Sequence, residues 1–159
     1  MNTKKMIYTS IFTAMTLALT MAYRIPVGTG YVHFGDSIIY LAAFLLGGAP
    51  AAFAGAVGGA LADIASGYTV YALPTAIVKS LMALAAAFFY KRLSSRVLGI
   101  IAAFAVGGLI MVGGYYVSEV IIYGNISSPL LNIPMNVVQI LFSVILPVIL
   151  TVPLKKIMK

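Results

Sequence analysis

Long apolar runs, separated only by short polar stretches, constrain the fold of this chain more than any other feature. The longest run covers residues 97–123 and contains a single charged side chain, Glu119. Backbone polar groups in lipid must be hydrogen-bonded inside a helix or a closed barrel, and barrel strands alternate in polarity. These runs do not alternate, and only 8% of the residues are charged, against about 25% in soluble domains. We therefore predict an all-α membrane protein.

We predict a compact bundle of six transmembrane helices that forms one domain over residues 1–159. The predicted helices cover about residues 4–23, 35–46, 50–66, 71–90, 97–123 and 129–154. A perpendicular crossing needs roughly 20 residues, so the second and third helices are short and are expected to be partly buried in protein. The fifth helix must tilt or project from the bilayer. The first run lacks a signal-peptide cleavage pattern and is expected to be retained as a helix.

The basic residues predict the orientation of the bundle. Six crossings place both termini and the loop over residues 91–96 on one side of the membrane. Lys and Arg accumulate on the cytoplasmic side of membrane proteins, so we predict cytoplasmic termini. The net charge of +7 does not indicate nucleic-acid binding, since that requires a broad basic face. The flanking basic residues are Lys4, Lys5, Lys91, Arg92, Arg96, Lys155, Lys156 and Lys159.

Ionisable residues inside the apolar runs indicate a polar site. The only acids are Asp36, Asp63 and Glu119, and Lys79 lies within the fourth predicted helix. A charge in mid-membrane costs about 2.5–3.5 kcal/mol, so such groups face the bundle interior and pair. All four fall in the outer half, with Asp63 or Asp36 as the expected partner of Lys79. For the two aspartates a structural ion pair and a ligand contact are equally favoured, whereas Lys79 and Glu119 are assigned to a ligand.

Polar and aromatic side chains collect at the same depth. Asn132, Asn136 and Gln139 are spaced by four and three residues, so they share one helix face. Aromatic walls with a few directed polar groups are typical of a pocket for a small polar molecule. The loops over residues 24–34 and 123–133 contain Gly and Pro and are either lids or ordinary connectors. The predicted substrate-binding residues are Lys79, Glu119, Asn136, Tyr115, Tyr116, Gln139, Asn132, His33, Asp36 and Thr75.

The sequence does not favour catalysis. The chain has no cysteine, so disulfides, thiolate metal sites and Cys nucleophiles are excluded. His33 is the only histidine, and no set of side chains has the spacing of a metal site. No nucleophile has an adjacent base. We therefore predict no enzymatic activity, no cofactor and no metal.

Two helices carry lines of small residues. In the first helix the line consists of Ala14, Ala18 and Ala22. Small faces let helices approach closely in lipid, and the spacing alone favours packing within the chain over docking onto another membrane protein. In the third helix the line consists of Ala51, Gly55 and Gly59 and continues to Asp63, with Ala52, Ala56 and Ala60 beside it. That pattern predicts a tightly packed central helix.

Several ordered segments resemble the substrate-binding S components of energy-coupling factor (ECF) vitamin transporters. They are "YVHFGDSIIYLAAFLLGGAPAAFAGAVGGALADIASGY" (31–68), "LPTAIVKSLMA" (73–83), "GGYYVSEVIIYG" (113–124) and "NIPMNVVQ" (132–139). The resemblance covers nearly the whole chain. It is greatest to the hydroxymethylpyrimidine/pyridoxine-type branch, and smaller to the thiamin-specific branch, whose pocket tryptophans are absent because the chain has no Trp.

The resemblance implies a multi-pass protein of a prokaryotic plasma membrane that binds a vitamin near its outer face. The S component would have no ATPase of its own. It would dock through small residues of its first helix onto a membrane scaffold, the T component, which couples to two cytoplasmic ATPase subunits, and it would topple to release the vitamin inside. The residues Ala14, Ala18 and Ala22 match the Ala-x-x-x-Ala pattern of the family, which shifts the interpretation of that face towards docking.

Our leading hypothesis is uptake of a small heteroaromatic such as pyridoxine or hydroxymethylpyrimidine. Lys79 and Asn136 would hydrogen-bond ring substituents, and Glu119 would bind a ring nitrogen or hydroxyl. Tyr115 or Tyr116 would stack on the ring. The alternatives are an S component for another vitamin such as riboflavin, a membrane scaffold without a ligand, and a solitary proton-coupled carrier.

Overall fold

The computed structural model describes residues 3–27, 30–93 and 96–158 as a helical bundle with one short β-hairpin. The helices are α1 (Thr3–Ala22), α2 (Gly35–Leu46), α3 (Gly48–Ala65), α4 (Ala72–Arg92), α5 (Arg96–Tyr123), α6 (Ile133–Ser143) and α7 (Ile145–Ile157). Strands β1 (Ile25–Val27) and β2 (Gly30–Val32) pair antiparallel, with Ile25 opposite Val32. Short 3-10 turns, Thr69–Tyr71 and Ser128–Asn132, lead into α4 and α6.

The lengths of the helices confirm a multi-spanning membrane protein. Five segments of the described chain are long and apolar enough to cross a membrane: Thr3–Ala22, Gly48–Ala65, Thr69–Arg92, Val97–Tyr123 and Ser128–Ile157. The remaining helix, α2, has 12 residues, which span about 18 Å and fall short of the ~30 Å hydrocarbon core. The sixth crossing and the cytoplasmic location of the termini stay predictions.

Two features of the backbone were not predicted. The sixth predicted helix is divided into α6 and α7 by a turn at Val144. Pro147 lacks an amide hydrogen and its ring clashes with the carbonyl four residues earlier, which interrupts a continuous helix. The second feature is the hairpin: the first outer loop was expected to be a lid or an ordinary connector, and no strands were predicted in it, but β1 and β2 pair there.

Helix α2 lies at the centre of the bundle. Ten of its residues, from Gly35 to Phe44, are buried. It is followed at Gly47 by a tight turn with a φ of 93°, a conformation that glycine adopts without strain. The short helix is therefore enclosed by protein rather than exposed to lipid, and its polar first turn can be satisfied inside the bundle.

The small residues of α3 permit close packing on two sides, as the sequence predicted. A Cβ added at Gly58 would lie 2.8 Å from the Thr13 carbonyl oxygen of α1. A Cβ added at Gly59 would lie 2.7 Å from Thr75 Cγ2 of α4. Helices α1 and α4 therefore approach α3 to a distance that only glycine permits.

Helix α1 turns a threonine face inward and its alanine face outward. Thr9, Phe12, Thr16 and Thr20 are buried, and the Thr16 hydroxyl donates to the Phe12 carbonyl at 2.8 Å, which satisfies a polar group on the packed face. The alanines of the predicted small face are exposed instead: Ala14, Ala18 and Ala22. That face does not serve packing within the chain.

The bundle has two chemically distinct ends. At one end Lys4 and Lys5 border a cleft shared with Leu45 and Met158, and Lys155 donates to the Tyr90 hydroxyl at 2.8 Å. The acids lie on the segments that meet at the other end. Lys4, Lys5 and Lys155 therefore lie at the end opposite the acids, whereas Lys79 lies among the acids.

The α1–α3 contact generates a stability prediction. Gly58→Ala should lower the free energy of unfolding by about 1–3 kcal/mol, because the added methyl meets backbone and a β-branched side chain. Gly113→Ala on α5 is the matched control, since a Cβ there meets nothing within 4 Å. Thermal unfolding of the detergent-solubilised protein measures both. Equal melting temperatures for Gly58→Ala and the wild type would contradict the close packing.

Candidate ligand-binding site

A cavity lies at the acidic end of the bundle, between the hairpin and helices α3, α4, α5 and α6. Its volume is about 40 Å³, counted as the space open to the centre of a water molecule, which exceeds what a single water needs. Its wall combines tyrosines, amides and two carboxylates. The lining residues are Tyr31, Val32, His33, Asp63, Tyr71, Thr75, Tyr115, Glu119, Asn132, Met135, Asn136 and Gln139.

The hairpin forms the cover of this cavity. The Tyr31 hydroxyl donates to Asp63 Oδ1 at 2.6 Å, and the His33 amide donates to Gln139 Oε1 at 2.9 Å. Burial and the neighbouring Asp63 raise the pKa of Tyr31 above its usual value, so its hydroxyl remains a donor. Burial lowers the pKa of His33 to about 4, against the opposing effect of Asp36, so the imidazole is neutral at pH 7. Its Nδ1 accepts the Gly35 amide hydrogen at 3.0 Å.

The opposite wall is built around Glu119. Asn132 Nδ2 donates to Glu119 Oε2 at 2.8 Å, and the Tyr71 hydroxyl lies 3.4 Å from Oε1. Asn132 is held by the loop after α5, where Asn125 Oδ1 accepts the Ser127 amide hydrogen at 2.7 Å in an Asx turn. Both outer loops therefore contribute walls of the cavity.

A buried ion pair lies one helical turn beyond the cavity. Lys79 Nζ is 2.6 Å from Asp36 Oδ1, and both side chains are at most 1% exposed. Gln139 Nε2 donates to Asp36 Oδ2 at 2.7 Å. Lys79 Nζ also lies 5.1 Å from the centroid of the Tyr115 ring. The hairpin backbone, Gln139, Asp36 and Lys79 thus form one continuous chain of polar contacts.

Most of the predicted ligand residues line the cavity: Thr75, Tyr115, Glu119, Asn132, Asn136, Gln139 and His33. Asp36 and Lys79 do not line it, because they pair with each other. Tyr116 does not line it either, since its hydroxyl donates to the Ile126 carbonyl at 3.3 Å. Contact of any of these side chains with a ligand stays a prediction.

The cavity also includes residues that were not in the predicted set. Tyr71 precedes Thr75 by four residues, and Met135 lies on the same face of α6 as Gln139, so helical spacing contained a signal for both. Asp63 was noted as an ionisable residue of the region, and neither Asp63 nor Tyr31 was in the predicted ligand set. Val32 carried no signal, because nothing predicted the hairpin that positions it.

The arrangement is suited to binding a small polar molecule. The Thr75 hydroxyl is hydrogen-bonded to the Tyr115 hydroxyl at 3.0 Å, and the Asp63 carboxyl group is its other polar neighbour. Within the described residues no three His, Asp or Glu side chains gather in a metal-binding group. Aromatic rings and convergent amide and carboxylate groups can hold a flat polar molecule.

Comparison with known proteins finds a family of vitamin transporter subunits and two relatives. A family model described as the S component of an ECF-type riboflavin transporter matches residues 1–156. The chain is 29% identical over 154 residues to the thiamine precursor transporter HmpT of Lactococcus lactis subsp. cremoris (strain MG1363), covering 94% of this chain and 87% of that protein. It is 38% identical over 107 residues to an uncharacterised protein, described as lying in the gap 3′ region, of Pyrococcus woesei, covering 66% of this chain and 71% of that protein.

The buried ion pair generates a second prediction. Lys79→Met should destabilise the protein by about 3–5 kcal/mol, because it leaves Asp36 buried without its counter-charge. The double variant Asp36→Asn/Lys79→Met should recover most of that loss, since neither charge then remains. Thermal unfolding in detergent of the wild type, both single variants and the double variant measures the coupling. Additive losses in the double variant would show that the two side chains do not depend on each other.

Proposed function

The chain belongs to the family of ECF-type riboflavin transporter S components, and on that premise we propose that it binds a one-ring, water-soluble vitamin or vitamin precursor in the cavity beneath the hairpin. Members of this family are membrane subunits of vitamin transporters. The proposed ligand is a heteroaromatic of the pyridoxine or hydroxymethylpyrimidine type. The relative named as a thiamine precursor transporter supports this choice.

The observation that carries the proposal is the enclosed cavity with its mixed aromatic and polar wall. Tyr115 offers a ring face, while Asn136 offers an amide that can both donate and accept hydrogen bonds. The Gln139 amide also lines the cavity and is oriented by the His33 amide and Asp36. A scaffold protein without a ligand would have no reason to keep such a cavity open, although Lys79 and Glu119 are both paired with protein. The cavity therefore favours a binding subunit.

The size of the cavity favours a small ligand over riboflavin. The cavity below the closed hairpin is small, about 40 Å³, so a single ring with small substituents displaces less of its wall than a larger ligand does. Riboflavin has three fused rings and a ribityl chain, and it would require the hairpin to lift. The hairpin is held by hydrogen bonds from Tyr31 and from the His33 amide, and lifting it would break both.

Exposure of the alanine face of α1 supports docking onto a T component. Ala14, Ala18 and Ala22 are exposed and present a flat surface against which another helix can approach closely. In the proposed complex this T component connects the protein to two cytoplasmic ATPase subunits. The basic end of the bundle would then face the cytoplasm, in agreement with the positive-inside tendency, and the cavity would face outward.

Binding of the purified protein tests the proposed ligand class. Hydroxymethylpyrimidine or pyridoxine should bind at micromolar concentration or below by calorimetry, and riboflavin at least about tenfold more weakly, a difference of about 1.4 kcal/mol. Asn136→Ala should weaken binding about 5- to 100-fold by leaving a ligand group unpaired. Ser118→Ala, whose hydroxyl bonds back to the Gly114 carbonyl, is the matched control on α5. Failure of every B vitamin and precursor would show that the ligand class is wrong.

Substitutions on the exposed alanine face test docking. Ala14→Trp and Ala18→Trp should abolish vitamin uptake in cells that contain the complete transporter, because an indole prevents close helix approach. Vitamin binding by the purified variants should equal that of the wild type. Leu109→Trp on α5, where the side chain is 74% exposed, is the control and should preserve uptake. Parallel loss of binding and uptake in the alanine variants would refute docking through this face.

A further inference from the structure

The cavity wall contains two carboxyl groups. Asp63 and Glu119 both line it, and each is only 4% exposed. No lysine or arginine among the described residues lines it. Two bases lie nearby: Lys79, which pairs with Asp36 at 2.6 Å, and Arg24, whose charge acts on Tyr31. His33, on the hairpin, is neutral at pH 7 because burial lowers its pKa to about 4.

One carboxyl oxygen of Asp63 is buried without a protein donor in the described part of the chain. The Asp63 carboxyl group accepts the Tyr31 hydroxyl hydrogen through Oδ1 at 2.6 Å. Its Oδ2 is buried and accepts no well-formed hydrogen bond from the described residues. Thr75 is a neighbour, but the Thr75 hydroxyl is also engaged with Tyr115 at 3.0 Å. A buried carboxylate oxygen without a donor is costly, so a donor brought by a ligand would remove that cost.

Both carboxyl oxygens of Glu119 have protein partners, unlike those of Asp63. Its two oxygens meet the Asn132 amide at 2.8 Å and the Tyr71 hydroxyl at 3.4 Å. Both partners are uncharged, so they orient the carboxylate without neutralising it. Glu119 therefore contributes a carboxyl group whose two oxygens have partners, whereas Asp63 contributes a carboxyl group with one acceptor that the described residues leave unsatisfied.

Helix N-termini, which attract anions, do not offset these acids. Helices α2, α4 and α6 all begin near the cavity. The first turn of α2 already contains Asp36. Helices α4 and α6 are continued from 3-10 turns, in which the Ala72 amide donates to the Thr69 carbonyl and the Ile133 amide donates to the Leu130 carbonyl. An incoming phosphate would therefore meet two carboxylates and helix starts that are already occupied.

We infer that this cavity selects its ligand by charge, with Asp63 as the specificity-determining residue. It accepts a heteroaromatic ring that carries a cationic or N–H-donating substituent, and it rejects the phosphate ester of the same ring. The inference rests on the proposed function, since it concerns the same cavity. Like charges brought together in a buried site cost several kcal/mol, so a phosphate should be excluded even when the ring fits.

A series of ligands that share one ring tests this on the wild-type protein. The ring is whichever one binds in the vitamin panel, presented as its primary alcohol, the corresponding amine and the phosphate ester. Calorimetry at pH 7 measures the dissociation constants. The amine should bind at least as tightly as the alcohol, and the phosphate ester should bind at least about 100-fold more weakly than the alcohol. Because no substitution is involved, protein folding does not affect the outcome.

Two variants then show which carboxyl group is responsible for rejecting the phosphate ester. Asp63→Asn keeps an oxygen to accept the Tyr31 hydrogen bond and removes the charge, and it should reduce the alcohol-to-phosphate affinity ratio about tenfold. It should also remove any preference for the amine. Glu119→Gln should reduce the ratio less, and Ser118→Ala should leave it unchanged. Thermal unfolding confirms that each variant is folded before its affinities are compared.

The outcomes separate this inference from the proposed function. The inference is supported if the wild type has a large alcohol-to-phosphate affinity ratio and Asp63→Asn reduces that ratio about tenfold. Equal affinity for the alcohol and the phosphate ester, or a ratio that Asp63→Asn and Glu119→Gln leave unchanged, overturns the inference while the proposed function stands. Absence of binding by every ring overturns both.

Discussion

The structure depends on a lysine and an aspartate that neutralise each other inside an apolar bundle. Lys79 and Asp36 are almost fully buried and 2.6 Å apart, and neither could remain charged there alone. Gln139 joins the pair from α6, and through the His33 amide it joins the hairpin as well. A shift of α2, α4 or α6 along its axis would separate these groups. We interpret the pair as the contact that fixes the register of the helices around the cavity.

The small residues of α3 make that contact possible. A Cβ at Gly55 would lie 3.2 Å from Lys79 Cβ, and one at Gly59 would lie 2.7 Å from Thr75 Cγ2. Because these positions are glycine, α4 lies directly against α3, and the Lys79 stem reaches the first turn of α2. The glycines of α3 thus determine the position of the Lys79 ammonium group of α4. The same contact positions Thr75 at the cavity wall.

Much of this architecture could be predicted from the sequence, because hydropathy and helical spacing act locally. The bounds of α2, the close packing of α3 and the shared face of Asn136 and Gln139 follow from such patterns. The partner of Lys79 could not be decided between Asp36 and Asp63, since that choice depends on how three helices meet. The hairpin was missed because each of its strands has only three residues, too few for a hydropathy pattern to indicate a strand. The division of α6 from α7 was missed although Pro147 was visible.

The closed hairpin makes the binding free energy depend on the size of the ligand. Its two hydrogen bonds to the bundle involve the Tyr31 hydroxyl and the His33 amide. A net contribution of about 0.5–1.5 kcal/mol is typical for such a bond, and up to about 3 kcal/mol when a charged group such as Asp63 accepts. A one-ring ligand that fits below the hairpin keeps both bonds. A larger ligand must break them and must also leave the Asp63 carboxylate without its Tyr31 donor. Asp63 therefore holds the hairpin closed, which limits the size of the ligand. We expect the same side chain to limit the charge of the ligand as well.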